Sequence, residues 1–409
     1  MAILSLYNSL CAIGFLARFS YALARTPVLP LFAFYLGAGP EAIGFIVGIS
    51  TVTGIFFKLP SGALSDLIGR KKTLIAGLAV FASMPFAYLL VSSYQLLILV
   101  RFLHGFATAI YGPVAMAVVM DAAGSRKGEM LSWFSSVTII GNLVGAPAGG
   151  FILYRLAGGA PSIFDFQMVY LASGLAGFLS LALALMVLRG QEAVKRSKSL
   201  RESLGRFGSG IKEVLSDRRV VVTSAMEGLQ NMKVGALEAF LPIYAVTVAG
   251  LNEFQAGLLW GVQVLVTILS KPVMGRTSDR YGRRPLIVGG MVLCALAFGA
   301  IPFFRNFYLL LVTATVFGLG EALVTSSTAA LVADVCQERH FGTAMGTFGT
   351  IFDVGHAAGP IVAGLLLARL DYLPSFWIMA AAPLAAIPIF LLTVTHEGQR
   401  QPKAGARRV

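Results

Sequence analysis

Charge is what this chain lacks most. Only 12% of its 409 residues are Asp, Glu, Lys or Arg, while 57% are hydrophobic and the mean hydropathy is +0.80. A soluble core of this size cannot hide that much apolar side chain, so a water-soluble globular protein is excluded and the bilayer becomes the solvent. Cysteine is nearly absent: Cys11, Cys294 and Cys336 give neither a disulfide framework nor a metal spacing, and read as small buried hydrophobes. No phosphate-binding glycine loop, metal-ligand spacing or nucleophile–base constellation occurs, which rules out ATP as energy source and leaves no support for an enzyme, a metal or a cofactor. No basic stretch precedes the first apolar run, which continues past Arg18 and Arg25, so the N-terminus reads as a membrane span and not as a cleavable signal.

What is present is a series of apolar runs of helix length. Twelve spans are expected near residues 7–35, 41–63, 72–92, 95–122, 129–153, 165–188, 219–247, 253–275, 285–303, 307–334, 341–368 and 374–394. Most connections are too short for anything but antiparallel neighbours, and lipid forbids exposed irregular backbone, so an all-α membrane bundle follows. The net charge of +13 is unevenly placed. Of 32 Lys and Arg, 23 fall in connections and tails on one side, and only Arg155, Arg305 and Arg369 on the other. That asymmetry makes the basic side cytoplasmic, with both termini there and the plasma (inner) membrane as location. The positive charge is therefore a topology signal, with anionic lipid headgroups as an added partner and no role for nucleic acid.

The chain also repeats itself. Gly62-Ala-Leu-Ser-Asp66-Leu-Ile-Gly69-Arg70-Lys71-Lys72 returns 213 positions later as Gly275-Arg-Thr-Ser-Asp279-Arg280-Tyr-Gly282-Arg283-Arg284. Lys58 returns as Lys271, Gly105 as Gly318 and Asp121 as Asp334, and one insertion then moves the offset to 214, where Gly128 meets Gly342 and Gly145 meets Gly359. Six spans answer six, a parallel repeat that puts a substrate site between the halves near the midplane. The expected organisation is an N-terminal six-helix bundle over 1–188, a cytoplasmic linker over 189–218, a C-terminal bundle over 219–394 and a tail over 395–409. The linker is dense in charge, and its apolar residues allow either an amphipathic surface helix or a tether.

These motifs resemble those of the major facilitator superfamily along essentially the whole chain. The loop pattern Gly-x-Leu-x-Asp-Arg-x-Gly-Arg-Lys stands here as Gly62, Leu64, Asp66, Gly69, Arg70 and Lys71, with Leu67 where an arginine is usual; the second copy keeps Arg280 but has Thr277 at the leucine position. The resemblance implies that Gly62, Asp66, Gly69 and Arg70, with Gly275, Asp279, Gly282 and Arg283, form a latch that locks the cytoplasmic side when the transporter faces outward. Lys71, Lys72 and Arg284 are read as setting topology. Gly141-x-x-x-Gly145-Ala-Pro147-x-Gly149-Gly150 and Gly355-x-x-x-Gly359-Pro360 resemble the glycine–proline signature of the drug and sugar efflux proton-antiporter branch. In the fifth span, where antiporters carry that signature, the proline sits one place late, at Pro147 rather than at Ala146. Small residues and a proline suit helices that bend and rock. Arg101 matches the family's Arg-x-x-x-Gly pattern in the fourth span, an arginine linked in relatives to proton movement, and Arg101, His104 and Thr108 share a face. A purely structural hydrogen bond between helices is the rival role for Arg101.

Charges inside spans carry the functional expectation, since an ionised group at a helix centre costs about 3 kcal/mol even on lenient scales. The basic ones are Arg18, Arg25, Lys58, Arg101, Lys233 and Lys271, and the acidic ones Glu227, Glu238, Glu321 and Asp353. Under the 213 offset Arg25 corresponds to Glu238 and Arg18 to Asn231, so opposite charges occupy equivalent depths in the first and seventh spans. An outer gate made by Arg25 and Glu238 is expected. Asp353 and Glu321 are the leading proton carriers, with His356 placed to share the Asp353 proton or to donate to a carbonyl. Lys58 and Lys271 are expected to snorkel to headgroups.

The combined reading is a secondary transporter working by alternating access as a monomer, partnered by a small-molecule substrate, protons and the bilayer. A proton-coupled exporter of drug-like or other amphiphilic solutes leads. The alternatives are an organic-anion transporter that uses the intramembrane arginines, and a receptor or scaffold that has kept the fold. An anion carrier should lose binding when Arg18 becomes Gln, whereas a cation or neutral-drug exporter should suffer more from loss of Glu227 or Asp353.

Overall fold

A computed structural model describes residues 2–123, 126–188, 217–336 and 341–394, without the side chains of 2–5, Leu59, Ala63, Asp66, Lys127 and 341–343. The linker and tail expected over 189–218 and 395–409 therefore lie, but for residues 217 and 218, outside the described residues. Among the described residues the chain is helical, with no strand: α1 (Ala2–Leu23), α2 (Val28–Tyr35), α3 (Pro40–Ile68), α4 (Arg70–Ala87), α5 (Tyr94–Ala122), α6 (Lys127–Ala157), α7 (Ile163–Val187), α8 (Arg218–Ile243), α9 (Glu253–Tyr281), α10 (Arg283–Ala300), α11 (Phe307–Val335), α12 (Phe341–Leu367) and α13 (Tyr372–Thr393). Ten of these are long and apolar enough to cross a membrane. Together with the α1–α2 pair and α8 they make a multi-pass membrane protein of two six-span halves. The polar member is α8, which spends its composition on Arg218, Arg219, Glu227, Lys233 and Glu238 and yet buries almost all of its length.

Helix ends follow local chemistry. On the side of the short glycine loops, α3 stops at Gly69 (φ 100°) and α9 at Gly282 (φ 94°), left-handed conformations that favour glycine, at positions 213 apart. On the opposite side helices begin at polar caps: Ser93 accepts from the Leu96 amide, Asn252 and Gln255 form a reciprocal box, as do Ser162 and Asp165, and Asn306 accepts from Tyr308 and Leu309. One expectation needs correction, because residues 7–35 do not form one continuous helix. The span breaks between Leu23 and Val28, where Pro27 supplies no N–H to continue the ladder, and Arg25 sits in the break.

Within each half, helices meet through glycine. Gly141, Gly145 and Gly149 of α6 lie against the backbone of α1 at Phe15, Phe19 and Leu23, where an added Cβ would strike main-chain atoms. The repeat-related pair is α8 with α12: Gly228 abuts Ile351 and Gly355, Gly235 the His356 carbonyl, and Gly359 the Met232 backbone. Two reciprocal bonds clasp α1 to α7, Ser20 Oγ donating to the Ser173 carbonyl and Ser173 Oγ to the Ser20 carbonyl, both at 2.7 Å. Without a hydrophobic drive between helices in lipid, such close approach and interhelical bonding hold the bundle. The Gly359→Ala variant forces a methyl into the Met232 backbone, so it should lose about 2 kcal/mol, a drop of about 4 °C in the unfolding temperature of the detergent-purified chain. An unchanged unfolding temperature would count against this packing account.

Candidate functional site

The two halves meet mainly on the side away from the glycine loops. There α3 packs on α12 and α6 on α9. Gly44 and Gly48 receive Pro360, Ala357 and Ile361, while Gly257 and Gly261 receive Ala146, Pro147 and Leu143. Toward the loop side, the helices part around a cavity of roughly 430 Å³ whose walls include Thr51, Gly54 and Lys58 of α3, Thr108, Gly112 and Met116 of α5, and Phe352 and Asp353 of α12. A second lobe of roughly 190 Å³ lies next to the closed end, against Asn142, Trp260 and Val264; Arg18, Tyr21, Arg25 and His356 border both.

The roof of the cavity is an ion-paired cluster. Arg25 Nη2 donates to Glu238 Oε2 at 2.9 Å and its Nε also meets Glu238; Thr26 Oγ1 donates to Glu238 Oε1 at 3.3 Å, and His356 Nε2 lies 2.9 Å from Glu238 Oε2. The break after Leu23 lets Arg25 leave the helical surface of α1 and cross to α8. Glu238 is only 3% exposed, so its charge has few partners besides these. The same His356 nitrogen is 3.2 Å from Arg25 Nη2. Nε2 can donate to Glu238 when protonated or accept from Arg25 when not, but cannot do both.

A second pair spans the halves lower down, between Lys58 of α3 and Asp353 of α12. Lys58 thus does not snorkel to headgroups: its stem turns into the cavity, because Asp353 offers a counter-charge that outweighs hydration at the interface. Lys58, singled out as an intramembrane charge but assigned to headgroups, belongs to the cavity. His356, three residues from Asp353 and expected to share that residue's proton or to donate to a carbonyl, turns its Nε2 to Glu238 instead.

Other expected residues stay inside their own halves. Arg101 is 1% exposed and donates to Ser50 Oγ (2.5 Å), the Ile46 carbonyl (3.3 Å) and Tyr88 OH (3.5 Å), and His104 Nδ1 meets Tyr88 OH at 3.0 Å. Neither borders the cavity, whereas Thr108 and Gly112, further along that face of α5, do. In the second half Thr328 donates to Glu227 Oε2 at 2.8 Å and Asn231 Nδ2 to Glu227 Oε1 at 3.1 Å, while Glu321 is held by Gln263 and Thr267. A hydrogen-bonded path still joins Arg101 to the roof: Ser50 Oγ lies 3.5 Å from Tyr21 OH, which accepts from Arg25 Nη1 at 3.1 Å.

On the loop side, the side chain of Asp66 lies outside the described residues. Arg70 donates to the Ala117 carbonyl (2.8 Å) and pairs with Asp121 (2.6 Å); Arg283 pairs with Asp279 (2.5 Å) and Asp334 (3.1 Å). Asp121 and Asp334 were visible as repeat mates, a signal that marked them without giving them this partner. These bonds of both loop arginines lie within their own half.

The description "Major Facilitator Superfamily" belongs to the family whose model matches residues 10–270 and 250–408. Among relatives, an uncharacterized MFS-type transporter of Methanocaldococcus jannaschii is 22% identical over 88% of both chains. The multidrug transporter MdfA of Yersinia pestis is 25% identical over 78% of this chain and 76% of that protein. Among solved structures, a mutant of the nucleoside transporter NupG superposes with TM-score 0.81 at 15% identity, covering 95% of this chain and all of that one, a likeness of fold.

Leaving one member of a buried ion pair alone costs about 3–5 kcal/mol, because the survivor is uncompensated. Arg25→Glu and Glu238→Arg should therefore each destabilise the purified protein, and the double reversal should recover a coupling of about 1–3 kcal/mol. A double variant no more stable than either single one would show that the two charges do not interact.

Proposed function

The chain belongs to the major facilitator superfamily and is a membrane transporter; on that premise we propose that it moves a small solute by alternating access, coupled to protons and in the outward direction. One observation carries the reading: the halves are sealed on one side and parted on the other, and charged ties across the seal and cavity pair an acid of the second half with a base of the first. Protonating Glu238 or Asp353 removes the charge that Arg25 or Lys58 is bound to. Proton occupancy and closure are then one equilibrium. Asp353, bordering the cavity at 19% side-chain exposure, is the better-placed carrier, whereas Glu321 is enclosed in the second half.

The basic loop side is taken as cytoplasmic, so this conformation faces inward, with both termini on that face and the plasma membrane as location. Arg25, Glu238 and His356 then form the outer gate. Arg70 and Arg283, occupied here with Asp121 and Asp334, belong to the latch that engages when the cavity opens outward. The outward direction draws on the glycine–proline helices and on the likeness to MdfA, whose name describes a multidrug transporter.

In proteoliposomes with an imposed pH gradient, a panel of cationic, anionic and neutral solutes should include at least one whose flux follows the gradient. Asp353→Asn should cut that flux at least tenfold; flux blind to the gradient for every solute would overturn proton coupling. Access is tested separately. A cysteine placed at Met116 should react with a membrane-impermeant maleimide from the loop side and one at Thr26 from neither side in this state, and equal labelling of Thr26 from the opposite side would contradict the closed roof.

A further inference from the structure

The cavity is bordered by three cations, Arg18, Arg25 and Lys58, and two carboxylates, Glu238 and Asp353, besides His356. Each carboxylate is already committed, Glu238 to Arg25 and Asp353 to Lys58. Arg18 has neither a hydrogen bond nor an ion pair among the described residues, yet it borders both lobes. An arginine held in a span without a counter-charge costs about 3 kcal/mol. Building on the transport reading, we propose that the transported solute is an amphiphilic aromatic anion whose carboxylate or phosphate docks on Arg18.

The rest of the cavity fits that chemistry. A guanidinium presents a planar fork that matches a carboxylate or phosphate with two parallel bonds. Around Arg18 the walls are largely apolar and aromatic, with Phe352, Met116 and Tyr21 in the larger lobe and Trp260 and Val264 in the smaller. An aryl body would lie against these while its charge meets Arg18. A cationic solute, by contrast, would first have to pull Glu238 or Asp353 out of a pair that ties the halves together. An anion has no such obstacle. It also reaches Arg25, two helical turns along, and can compete with Glu238 for it, which couples solute binding to loosening of the roof.

Binding is measured without any gradient, so its outcome is separate from that of the flux assay. The detergent-purified full chain is titrated with 2-naphthoate, 2-naphthyl phosphate, 2-naphthylmethylammonium and 2-naphthalenemethanol, and the shift in unfolding temperature gives the affinity. At least one of the two anions should stabilise the wild-type chain. R18Q should weaken that anion at least tenfold, R18K should fall between, and binding of the ammonium or alcohol should be insensitive to either change. Stabilisation by neither anion, an anion bound equally well by R18Q, or the ammonium as the tightest ligand would overturn the proposal. Should R18Q fail to elute as a monodisperse species, R18K decides: loss of the fork should weaken the carboxylate at least threefold, and unchanged affinity refutes the role of Arg18. Gradient-driven flux that fails while anion binding persists would instead defeat the transport reading and leave this site standing.

Discussion

The bond on which this structure turns is the one between Arg25 and Glu238, a charge from each half meeting in a place with little water. In lipid a buried ion is costly unless a counter-charge, a carbonyl or a cavity receives it, so a pair split between two bodies is a tie between them. Backbone geometry serves that tie: the first span breaks after Leu23 to free Arg25, and α8 gives up lipid-facing character to carry Glu238, Lys233 and Glu227. His356 adds a third member whose single facing nitrogen must choose between acid and base.

The division of charge between the halves gives the machine its polarity. A strict repeat would have placed like with like at equivalent depths. Instead the first half supplies Arg18, Arg25 and Lys58 to the cavity and the second supplies Glu238 and Asp353. Internal duplication fixes where two groups can meet; divergence decides that they attract. The surplus base, Arg18, is then the place where the site remains chemically incomplete.

Much of the fold was legible because lipid imposes it: span length, antiparallel order and the two halves follow from apolar runs, short loops and the 213-residue repeat. The depth of Arg25 and Glu238 was legible for the same reason, since repeat mates share a level. What could not be read was azimuth, or how far along a helix the cavity reaches. Arg101 and His104 turn into the first half, toward Tyr88 and Ser50, while Thr108 on the same stripe of α5 borders the cavity, and spacing does not mark where along that stripe the change falls. Lys58 was misread because a lysine stem is long enough for either headgroups or Asp353, and only the packing of α3 on α12 decides. The break in the first span was missed because hydropathy continues through it.

Azimuth also explains the proline that sits one place late. The offset of 214 makes Ala146 the mate of Pro360 and Pro147 the mate of Ile361, and the contacts obey it: Gly44 faces the Pro360 carbonyl and Ile361, as Gly257 faces the Ala146 carbonyl and Pro147. Gly48 receives the Ile361 side chain where Gly261 receives the Pro147 ring. One residue is about 100° around a helix. Pro360 therefore turns its ring into its own half, against Gly235, while Pro147 presents its ring to the other half. Pro147 is thus less a copy of the helix-bending proline than a knob seated in a glycine groove of the opposite half. Beside that seat the rings of Phe151 and Phe254 meet edge to face across the same interface. The halves thus meet here through backbone and ring contacts, while the ion pairs between them lie apart from this seat.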